Sequence, residues 1–93
     1  MIVGVLTIDL AIFDAQSLKD KRRVVSSLKE KLGNRFNVSV AELESHDNPK
    51  QSQLGIALIS KDSRPVHARM DKIVDFVRAF RGLSLVDYRR ELL

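Results

Sequence analysis

Residues 37–60, NVSVAELESHDNPKQSQLGIALIS, decide the fold. Residues 37–45 read as a strand. HDNPK at 46–50 is a turn cluster with Asn48-Pro49 inside it, a pairing that favours turn initiation. Residues 51–60 read as a second strand with Leu54, Ile56 and Leu58 on one face. Two strands joined by so short a connection form an antiparallel hairpin. The hairpin lies near the middle of a 93-residue chain, so whatever flanks it on each side sets the topology.

Upstream, Ser17 and Asp20 form a capping pattern at a helix start. Leu18, Val25, Leu28 and Leu32 then recur at helical spacing, and Gly33-Asn34 supplies stop chemistry, which predicts a helix ending there. Before it, IVGVLTIDLAI at 2–12 alternates, with Ile2, Leu6, Ile8, Leu10 and Ile12 on one face. Val3, Val5 and Ala11 make the other face apolar too, as expected of a central strand. Downstream, Asp62 and Ser63 are candidate caps and Pro65 suits a first helical turn. Val66, Met70, Ile73, Val77 and Phe80 form a helical stripe, Gly82 is expected to end the helix, and residues 83–90 read as the last strand. The order is β-α-β-β-α-β. Two right-handed split βαβ units give a ferredoxin-like α+β two-layer sandwich: an antiparallel four-stranded sheet with both helices on one face. No linker, repeat or low-complexity stretch marks a second domain, so residues 1–93 form one.

Composition narrows the functions. Cysteine is absent, which excludes disulfides, thiolate zinc sites and cysteine nucleophiles. The N-terminal apolar run has no positive n-region and is far short of a bilayer span, so no membrane association and a cytoplasmic location are expected. The net charge of +4 is unevenly spread: −2 over residues 1–16, +5 over 17–36, −2 over 37–63 and +3 over 64–93. Clustered Lys and Arg at a pI near 9.8 suit a polyanionic partner.

The chemistries that this fold hosts leave recognisable residues. Stacking of RNA bases on the sheet needs aromatics on the central strands, and IVGVLTIDL and QSQLGIALIS have none. A phosphate-cradling loop after the first strand needs glycine, and Phe13-Asp14-Ala15-Gln16 has none. His46, near Glu44 and Asp47, reads as a solvated turn rather than a metal site, and His67 as a surface residue. Asp9 reads as an exposed side chain on the open sheet face, or as one of a pair across a strand or dimer interface. Lys21 falls inside the apolar stripe of the first helix, where its stem would pack while its head reaches water. Lys19, Arg22, Arg23 and Lys29 lie towards the outer side of that helix. No cofactor and no catalytic constellation is expected.

MIVGVLTIDL, SLKDKRRVV (17–25), RFNVSVAE (35–42) and LGIALIS (54–60) together resemble the YlxP-like family of small bacterial proteins of unassigned function. The resemblance implies a ferredoxin-like fold and a genomic neighbourhood of transcription-elongation, translation-initiation and ribosome-maturation genes. Relatives often carry tryptophan in the loop after the second strand, where this chain has Pro49. The expectation is a non-enzymatic module that contacts RNA or the ribosome through Lys19, Lys21, Arg22, Arg23 and Lys29. The alternative is a homodimeric protein-interaction domain that uses the open sheet face.

Overall fold

The period-two alternation of the strands becomes the two faces of one sheet. The computed structural model describes residues 1–13, 15–44 and 48–93. Its elements are β1 (Ile2–Ile12), α1 (Leu18–Phe36), β2 (Ser39–Glu44), β3 (Gln51–Ser60), α2 (Ser63–Arg78) and β4 (Leu83–Leu92). The four strands form one antiparallel sheet in the order β2-β3-β1-β4, with β1 central as expected. Both helices pack on one face.

The core lies between the layers. Leu6, Ile8, Leu10 and Ile12 of β1 and Leu54, Ile56 and Leu58 of β3 face Val25, Leu28 and Leu32 of α1 and Val66, Met70, Ile73 and Val77 of α2. Gly4 lets α2 come close: a Cβ there would overlap Val66 and stand 2.8 Å from Met70 Cε.

The ends of the helices depart from the sequence reading. Ser17 caps α1 as expected, its Oγ accepting from the Asp20 N–H at 3.2 Å, and Asp20 Oδ2 accepts from the Gln16 N–H. The helix nevertheless runs through Gly33-Asn34 to Phe36 and stops at Asn37, which takes the left-handed conformation at φ 52°. A glycine inside a helix costs only about 1 kcal/mol. The extra turn packs Phe36 edge-on against Phe76, with ring centroids 5.6 Å apart. Asn37 is used as a cap, so β2 begins at Ser39 rather than residue 37; its expected last residue, Ser45, lies outside the described residues. Helix α2 ends at Arg78, before Gly82. The Ala79 and Phe80 N–H groups close onto the Asp75 and Val77 carbonyls, and Gly82, at φ 92°, turns the chain into β4. Phe80 therefore sits half-buried beyond the helix instead of completing its core stripe. Strand β4 extends to Leu92, two residues further than expected.

Two irregularities shape the bare face. Val86 is the extra residue where β4 shifts register opposite Asp9 and Leu10, and it is 66% exposed. Leu43 occupies the corresponding shift between β2 and β3 and lies over Gly55. Strand β4 is tied to α2 by the Arg90–Asp71 ion pair, and Asp71 holds the Arg90 guanidinium above its usual pKa.

Candidate nucleic-acid interface

Helix α1 carries seven basic and two acidic residues, and α2 carries four basic and two acidic. The helices thus hold a net +7, the four strands −3, and the connecting residues sum to zero. Because both helices cover the same sheet face, the fold collects on one side of the sheet a charge that the sequence shows in two separate segments, all of it but that of buried Lys21 on the helices' outer sides.

Four of the five candidate cations share that surface. Lys19, Arg22 and Arg23 are exposed and Lys29 is half-buried along the outer side of α1. Lys21 does not join them. It is 4% exposed, and its Nζ donates to the Asn48 carbonyl at 3.3 Å. Its head therefore stays inside rather than reaching water. The reason is geometric: Lys21 stands on the buried side of α1 with Val25, Leu28 and Leu32, where the 48–50 turn supplies a carbonyl acceptor. Lys21 is thus a tether between the start of α1 and the loop before β3.

The structure adds cations that the reading of α1 alone missed. Between the helices runs a ridge of Phe36, Phe76 and Phe80, with Phe76 and Phe80 centroids 6.0 Å apart. Arg35 Cζ lies over Phe76 and Phe36, 5.3 and 5.8 Å from their centroids, and Lys31 Nζ lies 5.3 Å from the centroid of Phe80. Such contacts hold flexible cations in place over a ring face. Open grooves of about 860 and 610 Å³ flank the ridge. Arg35, Arg69 and Lys72 line the first with Asp75; Arg23, Lys31 and Arg81 line the second. Arg23 thereby joins the outer row of α1 to the seam. The sequence signal was the spacing of Arg69, Lys72 and Phe76 on one flank of α2, but it gains meaning only when α1 lies alongside.

The opposite sheet face has a different character. Asp9 is half-buried there, accepting from Gln53 Nε2 at 2.8 Å and lying 3.9 Å from Arg89 Nη1. It is paired across strands within the chain rather than simply exposed. His46 and Asp47 lie outside the described residues, and so does Asp14 of the loop after β1; nothing is described of the Glu44 side chain. Among the described residues no helix is long and apolar enough to cross a membrane.

Element order, strand order and the single helical layer define a ferredoxin-like α+β sandwich. Residues 3–90 match the family described as "Protein of unknown function (DUF503)", and the chain belongs to that family. It is 29% identical over 89 residues to "Uncharacterized protein YlxP" of Bacillus subtilis (strain 168), covering 96% of this chain and 97% of that protein. Among solved structures it is similar to protein YJCS, at a TM-score of 0.59 and 10% identity over 96% of both chains. It is also similar to SnoaB, a cofactor-independent oxygenase from Streptomyces nogalater, at 0.53 and 12% over 99% of this chain and 90% of that one. The designed protein Foldit4 matches at 0.56 and 11%, over all of this chain and 97% of its own. At these identities the likeness is one of fold alone.

Proposed function

We propose that this protein is a non-enzymatic module that binds structured RNA through its helix layer and serves translation or ribosome maturation. The observation that carries this reading is the separation of charge: +7 on the two helices against −3 on the strands. A surface of clustered cations neutralises phosphates without reading bases. The sheet, by contrast, has no aromatic on β1 or β3 with which to stack bases. The genomic neighbourhood implied by the family resemblance supports a ribosomal RNA as the partner. Phosphate contacts from Lys19, Arg22, Arg23 and Lys29 alone contribute about −3 to the log–log salt slope. Affinity for a labelled RNA should then fall at least about 50- to 150-fold from ~50 to ~200 mM salt. An affinity indifferent to salt, or no binding at ~50 mM, contradicts the reading.

A second reading has its own observation. Leu43, Ile59 and Val86 are 50%, 60% and 66% exposed on the side of the sheet that no helix covers, beside half-buried Val3 and Val5. Apolar surface of this kind marks interfaces. It supports a homodimer joined face to face through the sheets, an arrangement that leaves both helix layers free for RNA.

A further inference from the structure

We infer that the seam between α1 and α2, where Arg35 lies over Phe36 and Phe76 beside Arg69 and Lys72, is a seat for RNA backbone phosphates. This rests on the RNA reading above and moves the centre of the contact from the outer row of α1 to the groove that both helices build.

Three observations converge on the seam. Arg35 lies over two rings set 79° apart, and both contacts favour this position of its guanidinium beside the groove. A guanidinium carries a planar fork of N–H donors that matches the oxygens of a phosphate in pairs. The cations are also available. Among the described residues the ion pairs are Arg89–Asp9 and Arg90–Asp71, each made by an arginine of β4, and no carboxylate lies within ion-pairing distance of Arg35, Arg69 or Lys72. Asp75 is the carboxylate that lines the same groove, against three cations. Finally, the groove is open and about 860 Å³ in volume, and across the ridge lies the second groove, lined by Arg23, Lys31 and Arg81. Cations on both sides of an aromatic ridge suit a strand that crosses it, as positively charged grooves do when they track a nucleic-acid backbone.

The test compares three variants with the parent, using a labelled mixed-sequence RNA and fluorescence anisotropy across a range of salt. Arg69→Ala/Lys72→Ala removes two exposed or half-exposed charges far from the core. It should lower the slope by about 1.4–1.8 and weaken binding about 25- to 60-fold at ~0.1 M salt. Arg35→Lys keeps the charge and loses the guanidinium fork. It should leave the slope unchanged and weaken binding about 2- to 5-fold. Lys50→Ala/Lys61→Ala removes the same charge outside the helices and should change the slope by less than ~0.5. Parent-like affinity and slope in Arg69→Ala/Lys72→Ala, while Arg22→Ala/Arg23→Ala weakens binding, overturns the seam and leaves the RNA reading standing. A parent that binds an acidic peptide but no RNA overturns both.

Discussion

The helices of this sandwich carry +7 and cover one face of a sheet whose strands carry −3 and turn Val5, Leu43 and Ile59 outward on the other. Both surfaces are by-products of the same core. Burying Leu6, Ile8, Leu54 and Ile56 under two helices needs only one side of the sheet and one stripe of each helix. What remains is free to be selected for partners, and the two remainders differ: many unneutralised cations on one side, apolar side chains with an internally paired Asp9 on the other. On the proposed reading the helices contact the polyanion and the sheet serves self-association.

The largest expected effect tests the boundary between the layers. Leu28 is fully buried in the middle of α1, so Leu28→Ala should cost about 2–5 kcal/mol in urea unfolding. Against the few kcal/mol that a small domain has to spare, that is enough for partial unfolding. A melting curve that hardly moves would mean that the helix face has been misassigned.

Lys21→Ala comes next, at about 2–3 kcal/mol, because it removes a packed stem and leaves the Asn48 carbonyl without this donor. RNA affinity per folded molecule should change less than for Arg22→Ala. A stable Lys21→Ala protein with a lowered salt slope would return Lys21 to the binding surface.

Ile59→Asp sharpens the other side of the comparison. It should leave the stability of the monomer within ~0.5 kcal/mol, since Ile59 is 60% exposed. The parent should sediment as a dimer at ~100 µM, well above a micromolar Kd, and the variant as a monomer. A monomeric parent at that concentration removes the sheet-face argument.

Two small changes should stabilise. Ser52 is buried and its Oγ has no hydrogen-bond partner among the described residues, so Ser52→Ala should gain about 1 kcal/mol. Gly33 sits in helical backbone, and a methyl group added there would meet only the Val38 carbonyl oxygen, at 3.9 Å, so Gly33→Ala should gain about 0.5–1 kcal/mol. A loss in the second case would show that the last turn of α1 is strained at Gly33.

The fold was legible because strand alternation and helix stripes are local signals. Strands β1 and β3 match their reading end to end, and Ser17 caps α1 as its Ser-x-x-Asp pattern requires. The misplaced ends share one cause: tertiary contact. Phe36 on Phe76 carries α1 past Gly33-Asn34, and neither partner is visible from a window around the other. The candidate site was half legible for the same reason. The outer row of α1 follows from one helix's periodicity, whereas the seam of Arg35, Arg69 and Lys72 exists only where two helices meet. Lys21 was seen to lie in the stripe, but its Asn48 acceptor comes from a turn 27 residues away.

The central claim is that the helix layer binds RNA through phosphate contacts, and the salt dependence of Arg22→Ala/Arg23→Ala tests it most directly. Both residues are exposed, so circular dichroism and melting should match the parent, with stability within ~0.5 kcal/mol. The log–log salt slope should fall by about one to two units, and binding should weaken similarly for unrelated RNA sequences. Binding by the double variant equal to that of the parent at every salt concentration would contradict the account, and would leave the basic helices as a solvated surface.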